Sequence, residues 1–254
     1  YDKTSSELTD QLIAEGMNIH FEDSVALVPD NIDLAVITPA IPADHNEWKH
    51  LRDRNVPIKK RAEVLGMISR ESTCLAVAGT HGKTTTTTMV AHLLRSSWIN
   101  CTAFLGGISS NYNTNYLQGD TNVIVVEADE YDRSFLQLNP DGAILTSIDS
   151  DHLDIYGDHE QVKHSYAEFT AKVKSGGHLI MKSGIDMDLS DRTLDEVHVD
   201  HYGIDKGNCK ATNVHVSNGV FVFNYSGVRN TIDNLQLAMP GRHNVENATA
   251  AISL

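Results

Sequence analysis

Between residues 73 and 94 the pattern of apolar positions changes its period. "TCLAVAG" (73–79) is an unbroken apolar run of strand length, and "MVAHLL" (89–94) carries apolar residues at the spacing of a helix face, with the polar cluster "THGKTTTTT" between them. The pattern predicts a strand, a tight turn and a helix. Similar alternation runs to either side. Residues 1–68 read as helix-like "SSELTDQLIAEG", strand-like "MNIHFE" and "LAVITPAIP", helix-like "NEWKHLRDRN", then "VPIKKRAEVLGMI", the order of a parallel α/β layer. Polar "SREST" (69–73) is the predicted linker. A second layer begins at Cys74 with the strand into the glycine turn, then "NVIVVEADE", "DGAILTSID", the helix "QVKHSYAEFTAKV", "GGHLIMK" and "EVHVDHYGI". "NVHVSNGVFVFNY" reads as a hairpin with Ser217-Asn218-Gly219 as its turn.

At a strand-to-helix turn the first N–H groups of the helix have no internal partner and the helix dipole makes them partly positive, so the turn is an anion site. Gly79 and Gly82 let the backbone approach a phosphate, Lys83 reaches its outer oxygens, and the hydroxyl of Thr84 or Thr85 can ligate Mg²⁺. The spacing, G-x-x-G-K-T-T, is shorter than the strict phosphate-loop pattern, which needs glycine where Val77 stands. An ordinary tight turn followed by solvated threonines is the alternative for this segment alone. Lys83 reads as a solvent-facing side chain that supports no core.

Two later strands run straight into acids. "NVIVVEADEYD" ends in Glu127, Asp129 and Glu130, and "AILTSIDSDHLD" in Asp149, Asp151, His152 and Asp154. Open α/β sheets hold ligands at the carboxyl ends of their strands, so a carboxylate and an imidazole there can complete a Mg²⁺ site beside a threonine hydroxyl, although that ion prefers oxygen. Taken singly, each cluster reads equally well as a solvated loop or helix cap. "MPGRHNVENATAA" puts His243, Asn244 and Asn247 where a loop enters a helix. The two asparagines share a helical face and can bond an adenine edge; an Asn cap with His243 on the surface is the simpler reading.

Composition narrows the partners. A formal charge of −14 over 254 residues offers no attraction to nucleic acid or an anionic membrane. Cys74, Cys101 and Cys209 are too far apart for a disulfide framework or a close zinc spacing, which suits a reducing cytosol. No apolar run reaches the length of a membrane span and no signal peptide is visible. The chain opens at Tyr1 without methionine and stops inside helix-like "NVENATAAISL"; it reads as a fragment or ordered part of a longer protein.

In order along the chain, "GTHGKTTT", "EADEYDRSFLQLNP", "SIDSDHLDIYGD" and "PGRHNVENATAA" resemble the Mur ligases, the ATP-dependent amino-acid ligases of peptidoglycan synthesis. "YDKTSSELTDQLIAEGMNIHFED" and "VPIKKRAEVLGMI" look like the N-terminal domain of the alanine-adding members. The resemblance, which covers almost the whole chain, implies an α/β fold: a partial Rossmann-like UDP-muramate-binding domain (1–68), a linker (69–73), and a P-loop-type central ATPase domain (74–254) with a mainly parallel sheet and an added β-hairpin region. By this resemblance these residues would begin after the family's opening glycine-rich UDP loop and stop before its third domain. It further implies ATP and Mg²⁺, with UDP-N-acetylmuramate and L-alanine as substrates, in the cytoplasm. Lys83, Glu127 and His152 take the catalytic positions, and Thr84, Glu127 and His152 those of metal ligands. Gly79, Thr80, His81, Gly82, Lys83, Thr84 and Thr85 surround the ATP phosphates, His243, Asn244 and Asn247 the adenine, and Arg61 and His81 face the muramate. A ligase that attaches a recycled tripeptide to UDP-N-acetylmuramate would also carry "EADEYD", and a non-catalytic nucleotide-binding module is the alternative outside the enzymes. Oligomeric state is not read from the sequence.

Overall fold

The computed structural model describes residues 1–149 and 159–254. They form two compact units, Tyr1–Val64 and Leu65–Leu254.

In the first unit, Ser6 starts helix α1 (Glu7–Ala14): its hydroxyl accepts the Thr9 N–H, and Thr9 Oγ1 accepts the Ser6 N–H at 2.8 Å. Asp23 starts α2 (Asn46–Asp53) by accepting the N–H groups of Asn46 and Glu47 at 2.9 and 3.1 Å. Glu47 returns the bond by accepting the Ser24 N–H at 3.0 Å. Strands β1 (Ala35–Ile37) and β2 (Ile58–Lys60) pair in parallel across α2, as the alternation predicts. "MNIHFE" differs: residues 17–22 form no strand. Among the described residues this sheet holds only β1 and β2, and an extended segment without a ladder partner leaves its backbone groups to water.

Helix α3 (Arg61–Glu71) follows β2, and β3 (Thr73–Ala78) begins two residues after it. The polar run 69–73 therefore sits at a helix end and a strand start, and the compact units divide inside α3. Ser69 is buried there, its hydroxyl donating to Gly66 O and accepting the Asn139 N–H.

The second unit is built on a ten-stranded sheet. Beyond β3 its strands are β4 (Thr102–Ser109), β5 (Thr114–Leu117), β6 (Val123–Glu127), β7 (Gly142–Leu145), β8 (His178–Lys182), β9 (His198–Ile204), β10 (Cys209–Ser217), β11 (Val220–Ser226) and β12 (Thr231–Leu237). Their order is β12-β11-β10-β9-β8-β7-β3-β6-β4-β5. From β10 to β4 all neighbours are parallel, while β5, β11 and β12 join antiparallel. The β10–β11 hairpin turns where Ser217-Asn218-Gly219 predicts. Its helices are α4 (Lys83–Ser96), α5 (His159–Thr170), α6 (Asp191–Glu196) and α7 (Arg242–Ser253).

Apolar strands such as "GAIL" are buried on both faces, as a helix-covered parallel sheet requires. One face packs Ala76, Val126 and Leu145 against Phe135, Tyr166 and Phe169. Phe135 stacks on Phe169 with ring centroids 5.2 Å apart; burying each such ring is worth roughly 1.5–3 kcal/mol. The opposite face packs Val77, Val125 and Ile144 against Val90 and Ala91 of α4 and Ala250 and Ala251 of α7. From β3 the chain passes through α4 to β4, comes back to β6 beside β3, then crosses to β7 on the other side. The carboxyl end of β3 is thus a topological switch point, where such sheets open a crevice.

Candidate active site

The turn leaving β3 is pressed against the end of β7. Gly79 has φ +133°, and a Cβ there would stand 2.1 Å from Thr146 Oγ1 and 2.8 Å from the Ser147 nitrogen, so only glycine fits both the conformation and the space. Thr80 N–H donates to Ser147 O at 3.1 Å, its hydroxyl pairs with Ser147 Oγ at 2.8 Å, and the His81 N–H donates to Ser147 Oγ at 2.9 Å. Thr146 Oγ1 donates to His81 O at 2.6 Å. This clamp delivers the chain to Gly82, the α4 N-cap, in a left-handed conformation and without a side-chain cap. The first N–H groups of α4 are therefore uncovered by side chains, the arrangement that accepts an anion.

Lys83 is not the free side chain that the sequence suggests. Its Nζ donates to Gly79 O at 2.8 Å and lies 3.0 and 2.9 Å from the two carboxylate oxygens of Glu130. The Lys83 and Glu130 side chains are 15% and 3% exposed. A lysine neutralising a buried carboxylate supports the fold, which corrects the expectation that it carries no structural weight.

Thr84 Oγ1 donates to Glu127 Oε1 at 3.0 Å, and Glu127 Oε2 accepts the Gly106 N–H at 2.7 Å. The β3–β6 register puts Glu127 opposite Val77, which is why the carboxylate ends beside the turn. Burial pushes the Glu127 carboxyl above its ordinary value, against the opposing pull of the Thr84 hydroxyl, the Gly106 N–H and the Lys83 charge. Within the rest of the threonine run the Thr86 hydroxyl is buried with no hydrogen-bond partner among the described residues. Thr85 is half-buried, Thr86 and Thr87 are buried, and Thr87 and Thr88 donate back to the carbonyls of Lys83 and Thr84 at 2.8 Å each.

Other candidate residues are sorted by the fold. Asn244 and Asn247 are buried in the first turns of α7, with Asn247 Nδ2 donating to Asn244 Oδ1 at 3.3 Å and Asn244 Nδ2 to Pro240 O at 2.6 Å. Asn247 Oδ1 lies 2.9 Å from where a Cβ on Gly82 would stand. The simpler reading of an Asn cap is corrected: Gly241 is the N-cap, and Asn247 lies against the glycine turn. His243 is exposed. His81 is exposed too, its Nε2 3.7 Å from Asp149 Oδ2. Arg61 is exposed in the first unit. His152, with Asp151 and Asp154, lies outside the described residues. Among the described residues no group of three or more His, Cys, Asp or Glu could hold a metal, but the Thr84 hydroxyl and Glu127 carboxylate make an oxygen-only pair of the kind Mg²⁺ takes.

The raised Glu127 carboxyl has a measurable consequence. The folded chain holds that proton more tightly than the unfolded chain, so its contribution to stability is present below the ordinary value of 4.5 and is lost as pH rises through the folded value. Glu127→Gln, whose amide can accept from Gly106 and donate to Thr84, is expected to melt at a higher temperature than the parent at pH 7, with the gap closing near pH 4.5. Melting curves at the two pH values check this; a lower melting temperature for the variant at pH 7 contradicts it.

Fold and turn together define the class: a parallel α/β domain of phosphate-loop architecture. The chain belongs to the Mur ligase family, whose middle-domain profile matches residues 77–254, with the family's catalytic-domain profile matching residues 1–73. It is 42% identical over 260 residues to a UDP-N-acetylmuramate–L-alanine ligase of Christiangramia forsetii, which takes in all of this chain and 56% of that protein. A UDP-N-acetylmuramate–alanine ligase of Thermotoga maritima superposes with a TM-score of 0.79 at 30% identity, over 98% of this chain and 56% of that one. The UDP-N-acetylmuramate:L-alanyl-gamma-D-glutamyl-meso-diaminopimelate ligase of Neisseria meningitides superposes with a TM-score of 0.81 at 24% identity, over 98% and 82%, a likeness of fold. The chain spans little more than half the length of the curated relatives it matches.

Proposed function

We propose that this chain is the nucleotide-binding part of an ATP-dependent ligase that joins L-alanine to the lactyl carboxylate of UDP-N-acetylmuramate. The observation that carries the reading is the convergence of Lys83, Thr84 and Glu127 on the uncovered N-terminus of α4; the names of the relatives at 42–43% identity supply the substrates. On this reading residues 1–68 belong to the UDP-muramate-binding domain, 69–73 join the two, and 74–254 belong to the ATP-binding domain. The first N–H groups of α4 and the Lys83 ammonium bind the ATP phosphates and neutralise charge as it develops, with Gly79, Thr80, His81, Gly82 and Thr85 shaping the cradle. His243, Asn244 and Asn247 serve the adenine, and Arg61 and His81 the muramate. Thr84 and Glu127, with His152, would hold Mg²⁺, which supplies charge neutralisation at the transferring phosphoryl group. The lactyl carboxylate attacks the γ-phosphorus, ADP leaves, and the alanine amine then displaces phosphate from the acyl phosphate, losing a proton. Such transfers depend chiefly on positioning. The acidic surface, at −14, and described helices too short or too polar to cross a membrane support a cytoplasmic enzyme without a nucleic-acid or membrane partner.

The test is ligation by the chain extended to its relatives' length, supplied with ATP, Mg²⁺, UDP-N-acetylmuramate and either L-alanine or the tripeptide. Alanine-dependent release of ADP is expected. A preference for the tripeptide overturns the choice of substrate, and ligation without ATP overturns the reading. Calorimetry adds a second check: Glu127→Gln is expected to weaken binding of Mg²⁺-ATP more than that of metal-free ATP. Equal losses would make Glu127 a structural residue.

A further inference from the structure

"EADE" carries two inward-facing carboxylates with different partners. Glu127 meets the Thr84 hydroxyl and the Gly106 N–H, whereas Glu130 meets the Lys83 ammonium. An ammonium has three N–H groups; Lys83 donates to Gly79 O at 2.8 Å and to Glu130 Oε1 at 3.0 Å, with Glu130 Oε2 2.9 Å away in the ion pair. A phosphate oxygen reaching Lys83 competes with the Glu130 carboxylate for the ammonium. The carboxylate is the anchored member of the pair. Glu130 O accepts the Arg133 N–H, the neighbouring Asp129 O accepts the Phe135 N–H and the Ser134 hydroxyl, and Phe135 is buried in the aromatic cluster. Lys83 hangs on a flexible four-carbon stem, so it is the member that moves.

We propose that Glu130 is a positioning residue that latches Lys83 onto the glycine turn in the nucleotide-free protein, and that opening this latch sets the affinity of the loop for a polyphosphate. The proposal rests on the reading of the turn as a phosphate site. A carboxylate 3% exposed repels an incoming phosphate through poorly screened surroundings, and it competes with that phosphate for the same ammonium. Neutralising Glu130 removes both effects.

The experiment measures acylation of Lys83 by acetic anhydride, read by peptide mass spectrometry, and the Kd of Mg²⁺-ATP, both on the full chain. Glu130→Gln is expected to raise Lys83 labelling at least tenfold and to lower the Kd at least tenfold. Glu130→Asp keeps the charge but draws it back by one methylene; it is expected to raise labelling without tightening ATP, and it carries the labelling test if the glutamine variant does not fold. Unchanged labelling in the folded variants, or weaker ATP binding by Glu130→Gln, overturns the latch, since a purely structural Glu130 would change the melting temperature alone. Saturating ATP is expected to protect Lys83 of Glu130→Gln from acylation. Raised labelling without such protection supports the latch while overturning the phosphate-site reading.

Discussion

Lys83→Ala is expected to lose stability and turnover together. With Lys83 gone, the Glu130 carboxylate, 3% exposed, is left without its ammonium, and breaking a buried pair from one side typically costs about 3–5 kcal/mol. Turnover in the chain extended to the relatives' length is expected to fall about a hundredfold to a thousandfold, the usual effect of removing one donor to developing charge. Adding Glu130→Gln separates the two losses. The double variant should recover most of the melting temperature and none of the turnover, because neutralising Glu130 removes the buried charge that Lys83 balanced without restoring a cation. A double variant no more stable than Lys83→Ala would refute the buried-pair account.

The second large effect is at Gly79. An alanine there would hold φ +133° and press its Cβ to 2.1 Å from Thr146 Oγ1. Thr146 cannot swing away cheaply, since its hydroxyl bonds Ala78 O and His81 O, and the next obstacle is the Ser147 backbone. Backbone strain and overpacking together suggest about 2–6 kcal/mol. Gly79→Ala is therefore expected to lower the melting temperature sharply and to abolish ATP binding even where it folds. Chemical denaturation and calorimetry check it, and near-parental values for both would mean that the clamp between the turn and β7 is far softer than its hydrogen bonds imply.

How much of this was legible in the sequence follows from burial. The central strands β3, β6, β7 and β8 are apolar throughout because helices cover both faces, and their runs stand out. Edge strand β12 is exposed along "TIDN" and carries no apolar period, and β5 is partly exposed; neither was anticipated, nor was β4 with its glycine pair. Helix α6, six residues long, is too short for a 3.6-residue period to show. At the site, Gly79, Gly82, Lys83, Thr84 and Glu127 were legible because a strand-to-helix turn and a strand end fix where they lie. The inward turn of Glu130 was not, since an acidic run after a strand does not say which carboxylate faces the protein. Nor was the burial of Asn244 and Asn247, which depends on α7 packing beside α4 through Ala250, Ala251, Val90 and Ala91.

That last contact bears on the order in which the domain is made. The amide of Asn247 lies against Gly82, so the turn meets this neighbour only when α7 has docked onto α4, a helix formed far earlier in the sequence. Contacts between such distant stretches are slow to close and are rewarded late in folding. A chain still emerging from the ribosome can hold the glycines, the lysine and the threonines of the loop and yet lack the surface against which Gly82 rests. The packing of Gly82 is then complete only after α7 has been made and has docked beside α4.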